Sequence, residues 1–329
     1  MTRDGRHPAA LRIILAFAAV YIIWGSTYLA IRFAVATLPP FLMAGVRFAM
    51  AGAVLSAVAI ARGAARPTKA NWIAVAIVGL LLFPAGNGVV VWSETRVDSG
   101  LAALLVATEP FWIVLMAWMR DGRSARPRML SIAGITAGFV GLVVLVGPSS
   151  LSGSHSIDHT AVLALLCAAC AWALGSVYAQ RAPLPGAPLL AAGLEMIIGG
   201  AALIVIGAAT GEATHLDIAG VSPRSVLAFF YLVVFGSLVG FTAYSWLVGT
   251  VAPARLSTYA YVNPVIAVFL GWAFAGEAIT SRIAIAAAII VGAVVLITLD
   301  QSRGPARSTP AARPAPAPVP APARRRRAS

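Results

Sequence analysis

The residues able to do chemistry in this sequence are few, and they sit inside apolar runs. Glu109 precedes Pro110, and Asn263 precedes Pro264 in the second half of the chain. Proline lacks an N–H, so each frees the carbonyl four residues earlier, Val106 in one case and Ala260 in the other. A polar side chain beside a freed carbonyl is the expected appearance of a midplane solute site in a membrane helix. Glu109 carries a carboxyl, which by type can take up and give up a proton, and it is the candidate proton-coupling group. The bland alternative is a hydrogen-bonded glutamic acid that fixes helix packing. Arg47 and Glu195 are the other charges well inside apolar runs, at matching positions of the two halves. They are read as structural intramembrane charges, paired directly or each serving a local network, although Arg47 is also of a type that attracts a carboxylate.

Around these lie aromatic and amide side chains at helical spacing. Tyr21, Trp24 and Tyr28 share one helical face, and Tyr259 and Asn263 are four residues apart. The candidate substrate-binding residues are Trp24, Tyr28, Asn87, Trp92, Tyr259 and Asn263, a set suited to an organic amphiphile rather than a bare inorganic ion. Each aromatic alone reads more readily as packing or as an interface anchor. No catalytic pattern is present: there is no H-E-x-x-H, no G-x-x-x-x-G-K-[ST] and no G-x-S-x-G. Cys167 and Cys170 are spaced C-x-x-C without His or Cys partners, so they read as helix packing, and no metal or cofactor is implied. The expectation is a protein that is not an enzyme.

The elements that must position these residues are membrane helices. The chain has 329 residues, of which 60% are hydrophobic and 11% charged, too few charges to cover a soluble surface. Ten apolar runs cover about 12–31, 39–61, 71–92, 99–119, 129–147, 160–180, 188–209, 225–248, 256–275 and 282–299. Each is close to the ~20 residues that cross ~30 Å of hydrocarbon as a helix. The fold class is therefore all-α and polytopic. The net charge of +13 does not point to nucleic acid, because its placement follows membrane topology. With the N-terminus inside, 19 of the 24 Lys and Arg residues fall on the inner side, four on the outer side, and Arg47 within a span. Both termini are expected in the cytoplasm of a bacterial-type inner membrane. Residues 301–329 are rich in Pro, Ala and Arg and read as a disordered tail. Its four terminal arginines are a candidate contact with anionic lipid, the alternative being a solvated tail with no task.

The two halves resemble each other. At an offset of 148, Trp24 meets Trp172 and Pro40 meets Pro188; at 154, Trp92 meets Trp246 and Pro110 meets Pro264. Five spans per half is an odd number, so the halves enter the membrane from opposite sides, as two inverted five-helix repeats. The expected organisation is a cytoplasmic N-terminus (1–11), a first repeat (12–147), an outer loop (148–159), a second repeat (160–300) and the tail (301–329). Two repeats in one chain make a monomer sufficient, without excluding a dimer.

The segments VYIIWGSTYLAIRFAV, PPFLMAGVRFAMAG, GNGVVVWSE, SGLAALLVATEPFW and SWLVGTVAPARLSTYAYVNPVIAVFLGW resemble the drug/metabolite transporter superfamily and, within it, the EamA-domain, YedA-like exporters. The resemblance runs from about Val20 to Asp300. It implies ten helices in two EamA repeats, with helices 1–4 and 6–9 around a central cavity and helices 5 and 10 at the periphery. It also implies efflux of small metabolites, often amino acids or related compounds. The expected function is a secondary exporter of a small organic solute; a passive channel or facilitator for a small polar solute is the alternative.

Overall fold

The structure, a computed structural model, describes residues 6–122, 126–146, 158–214, 216–248, 250–251 and 258–302. It is helical, with no strand among the described residues. Ten long helices follow one another among the described residues: α1 (Arg6–Ala34), α2 (Pro40–Ala61), α3 (Lys69–Ser93), α4 (Ser99–Asp121), α5 (Met129–Val146), α6 (His159–Ala179), α7 (Pro188–Ala209), α8 (Pro223–Leu247), α9 (Tyr259–Ala275) and α10 (Ser281–Ser302). Eight are long and apolar enough to cross a membrane, and α5 and α9 are shorter apolar helices. The first helix starts at Arg6 rather than near residue 12, with Pro8 in its first turn, where its missing N–H is no loss. Residues 148–157 of the expected outer loop (148–159), and the tail from 303 onward, lie outside the described residues.

Local sequence explains how the helices start and stop. Pro40, Pro188 and Pro223 open α2, α7 and α8. Thr68 and Asn71 form a capping box on α3, and Asp158 accepts from the N–H groups of Thr160 and Ala161 at the start of α6. Gly63, Gly122 and Gly276 adopt positive φ just beyond α2, α4 and α9.

The halves are held together by close backbone approach. On α2, a Cβ added to Gly45 would lie 2.8 Å from Ile204 N, and one added to Gly52 would lie 2.5 Å from Gly193 O on α7. Lipid gives no hydrophobic drive between helices, so such small-residue contact, rich in dispersion energy, is what joins α2 to α7. At the periphery α5 and α10 pair through Gly134 and Gly141 against Ala293, Ile297 and Ile290, and Ser131 Oγ donates to Asp300 Oδ2 at 2.5 Å.

Three helices are irregular. The α4 helix breaks at Ala107 and Thr108, just before Glu109-Pro110. Both α3 and α8 carry a π-helical stretch, at Phe83–Gly88 and Leu232–Val239. The expected break at Pro264 is not one: α9 continues through it. Pro264 is the sixth residue of α9, so it disturbs only the first turn, where Tyr261 and Val262 both reach back to Thr258 O at 3.3 Å. The breaks lie in α3, α4 and α8 rather than in α4 and α9.

Candidate functional site

A cavity of about 120 Å³ lies among the irregular helices. The α1 helix contributes Trp24, Thr27, Tyr28 and Ile31, spaced to share one face. Arg47 comes from α2, Asn87 and Val90 from α3, and Val106 and Glu109 from α4. From the second half come Ala168 and Trp172 of α6, Gly236 and Phe241 of α8, and Tyr259 and Asn263 of α9. Among the described lining residues none comes from α5 or α10, and none from α7, although the resemblance places α7 around the cavity. The glycine face of α7 is committed to α2 instead.

The irregularities shape this lining. The π-helical stretch of α3 brings Gly86 against Trp172, where an added Cβ would lie 2.9 Å from the indole. In α8, Gly240 leaves room for Trp24, whose Nε1 donates to Gly236 O at 3.3 Å. Trp24 is the centre of an aromatic wall, its ring centroid 5.4 Å from Phe241, 5.1 Å from Tyr244 and 5.4 Å from Tyr259. Such edge-to-face and tilted contacts favour a fixed wall over mobile side chains.

Polar groups interrupt the wall at three places. Glu109 is buried and makes no hydrogen bond or ion pair among the described residues. Asn263 is buried, with Oδ1 lacking a partner. Arg47 is 3% exposed; its Nε donates to Ser237 Oγ at 3.0 Å, while Nη1 is buried without a partner. Its guanidinium lies 4.6 Å from the centre of the Phe48 ring.

Of the residues singled out from sequence, Trp24, Tyr28, Asn87, Tyr259, Asn263, Glu109 and Arg47 meet at this one cavity. Trp92 does not. It is five residues beyond Asn87, about 140° around a helix, and the Arg96 guanidinium packs 4.5 Å from its ring instead. Pro110 is buried at the break of α4, while Pro264 is buried within an unbroken α9. Arg47 and Glu195 form no ion pair with each other. Sequence reasoning passed over Thr27, Gly236, Ser237 and Phe241; the only signal for the last three was the Gly236 and Gly240 spacing in an otherwise apolar run.

A second, wider hollow of about 480 Å³ lies at the end of the bundle that bears the α3–α4 turn, lined by Arg32, Phe33, Glu94, Arg224 and Phe274 among others. It is one residue beyond Ile31 on α1 and one turn beyond Val90 on α3, so it adjoins the cavity along the same helices. Glu94, just past the end of α3, is fully enclosed, and burial pushes its carboxyl upward from the ordinary value. Among the described residues, no group of His, Cys, Asp and Glu could hold a metal ion.

The EamA-like transporter family matches this chain twice, over residues 11–147 and 159–299. The chain therefore belongs to that family of transporters. It is 38% identical over 304 residues to the uncharacterized inner membrane transporter YedA of Escherichia coli K12, covering 92% of this chain and 95% of that protein. It is 25% identical to the uncharacterized transporter YvbV of Bacillus subtilis, covering 87% of this chain and 91% of the relative. A solved crystal structure, 23% identical and covering 89% of this chain and 99% of its own, matches the fold with a TM-score of 0.60.

Proposed function

We propose that this chain is a secondary transporter of the bacterial inner membrane, exporting a small organic solute by alternating access, with both termini in the cytoplasm and Glu109 as the proton-carrying group. The observation that carries the reading is the cavity between the two halves. It takes residues from helices of both, and among the described residues Glu109, Asn263 Oδ1 and Arg47 Nη1 have no protein hydrogen-bond partner in it. Unpartnered polar groups in an apolar wall are costly unless something else satisfies them. A solute that completes them on entry repays that cost.

Coupling follows from the carboxyl chemistry. Glu109 accepts hydrogen bonds when ionised and donates one when protonated. A bound solute that favours one state competes with the other, so a proton and the solute exchange at one side chain. No G-x-x-x-x-G-K-[ST] motif is present in the sequence, so on this reading transport is facilitated or driven by an ion gradient. The inner membrane location of YedA and the transporter names of the relatives support this reading.

The test is counterflow in proteoliposomes and uptake into inverted vesicles, with the solute identified by metabolite profiling of overexpressing cells. Saturable counterflow is expected, and a passive channel does not give it. Glu109→Gln is expected to abolish proton-dependent uptake while the protein remains abundant. Unchanged pH dependence in that variant removes Glu109 from coupling.

A further inference from the structure

We propose that the transported solute bears a carboxylate and that Arg47 is the residue that holds it. The inference rests on the transporter reading and adds the substrate's chemical class. Arginine stays charged under all physiological conditions, and a buried charge without a counter-ion is among the most expensive things a protein can hold. Arg47 is 3% exposed and lines the cavity, yet among the described residues its one side-chain hydrogen bond goes to the neutral hydroxyl of Ser237. That bond uses Nε, the inner corner of the guanidinium. Nη1 has no partner. The outer edge of the fork is therefore the free one, and that edge fits a carboxylate with two parallel hydrogen bonds.

Nη1 is enclosed as well as unpartnered, and the Nη2 corner has a glycine for a neighbour. Gly236 lies beside it, and a Cβ there would sit 3.1 Å from Nη2 and 3.1 Å from Thr27 Cγ2. The ring of Phe48 and the bond to Ser237 fix the plane of the group from the other side. Among the described residues, no acid supplies the missing partner. Glu195 makes no ion pair with it. Glu109 shares the cavity without pairing. The charge that reaches Arg47 electrostatically is Glu94, which faces the adjoining hollow and forms no ion pair with it.

The rest of the cavity narrows the class. A phosphate carrying nearly two charges needs several cations or backbone donors, and Arg47 is the single cation among the described lining residues, with Glu109 in the same wall. A monoanion fits. Trp24, Trp172 and Phe241 offer the remaining surface to an apolar or aromatic body, and about 120 Å³ limits that body to roughly a ring or a branched chain. Arg224, at the adjoining hollow, has no carboxylate partner among the described residues; it lies over the Phe33 ring and donates to Phe274 O, leaving its charge available to an approaching anion.

The test compares carboxylates with their neutral amides on the purified full chain, by tryptophan fluorescence and thermal shift. The pairs are phenylacetate and phenylacetamide, and 3-methylbutanoate and its amide, with phenyl phosphate as the dianion. At least one carboxylate is expected to bind about ten-fold or more tightly than its amide, the worth of a charge-assisted hydrogen bond, and more tightly than phenyl phosphate. Arg47→Gln is expected to abolish that preference, and Arg47→Lys to reduce it. Gly236→Ala keeps the charge but crowds Nη2, and it is expected to narrow the preference too; it carries the test should Arg47→Gln not fold. Equal binding of carboxylate and amide, no binding of either, tighter binding of phenyl phosphate, or a preference that survives in both Arg47→Gln and Gly236→Ala overturns the proposal. Counterflow of a neutral solute with no carboxylate preference would sink this inference and leave the transporter reading standing. Loss of counterflow for every solute, with the preference intact, would do the reverse.

Discussion

The start of α4 is capped from far away in the chain, and removing that cap should cost more than removing any local one. Asp98 holds the N-cap position of α4 but makes no capping bond; its carboxylate pairs with Arg32 at 3.2 Å. Glu277, from the connection between α9 and α10, does the capping. Its Oε1 accepts from Ser99 N at 2.8 Å and from Ser99 Oγ at 2.7 Å, and its Oε2 accepts from Gly100 N at 3.0 Å. Arg32 Nε is 3.6 Å from the same carboxylate. The backbone is built for this reach. Gly276 takes φ of 70°, and both Gly276 N and Glu277 N donate back to Gly271 O, turning the chain sharply at the end of α9. Gly271 also leaves the space that the carboxylate fills.

Ser99 is 0% exposed, so without Glu277 its N–H is stranded at the positive end of a helix. Hydrogen bonds to a charged group contribute about 1.5–3 kcal/mol each, but the three bonds share one carboxylate whose burial is itself costly. Removing one partner of a buried charged network typically costs about 3–5 kcal/mol, the value expected for Glu277→Ala. Glu277→Gln keeps the shape but turns an NH₂ toward backbone donors, and about half that loss is expected. Glu212 is the internal control. It caps α2 in the same way, accepting from Phe41 N at 3.1 Å and Leu42 N at 2.9 Å, but it is partly exposed. Glu212→Ala should cost only about 1 kcal/mol. Unfolding by SDS in mixed micelles, followed by circular dichroism, measures both. A Glu277→Ala loss no larger than that of Glu212→Ala refutes the reasoning.

Gly52→Ala places a methyl within 2.5 Å of Gly193 O, so α2 and α7 must separate; a loss of about 2–3 kcal/mol is expected in the same assay. Gly63→Ala meets no atom within 4 Å but must hold φ of 83°, so its cost should be the backbone strain alone, about 1 kcal/mol. Asp158 is held below its ordinary value of 3.8 by the hydrogen bond from Arg96 Nη1 at 3.0 Å and by the N–H groups of Ala161 and Thr160. A depressed acid stabilises above its unfolded value and loses that effect as pH falls through its folded value. The stability gap between wild type and Asp158→Asn should therefore be constant at neutral pH and close at acid pH below the ordinary aspartate range; a gap that instead closes on the alkaline side contradicts this.

Much of the architecture was legible because it depends on length and hydropathy, which a one-dimensional reading captures. The break at Glu109-Pro110 was legible because proline removes a donor wherever it sits in a helix. Pro264 misled for a positional reason: near the start of α9 there is little helix upstream to break. The π-helical stretch of α8 has no proline, and only Gly236 and Gly240 hint at it. Arg47 and Glu195 show a subtler failure. Their helices touch along Gly45, Gly52, Gly193 and Gly200. Arg47 is two residues from Gly45, and Glu195 two residues from Gly193, so each points about 200° away from the contact on its own helix. Matching positions in an inverted repeat are related by an axis, which does not require them to meet. The charges face apart because the glycines face together.

The placement of α4 joins these observations. Its first residues are tied to Glu277, and thereby to the α9–α10 connection. Its last residues belong to a second charge cluster at the opposite end of the bundle, where Asp121 lies 3.0 Å from Arg120 and 3.2 Å from Arg181 and Arg120 donates to Val177 O of α6. Between the two anchors the helix has already given up its continuity at Ala107 and Thr108, where Thr108 Oγ1 satisfies Leu105 O at 2.7 Å. Bending at a point where the backbone ladder is already interrupted sacrifices no further regular hydrogen bond. In the proposed transport cycle, Glu109 thus stands at the joint between two segments held by different ends of the molecule. A proton or a solute arriving there acts on the angle between them. The exposed ion pairs at the ends contribute only about 0–1 kcal/mol each, whereas the buried Glu277 cap is the stronger tie, so in the proposed cycle the segment Ser99–Val106 is expected to stay with the α9–α10 connection.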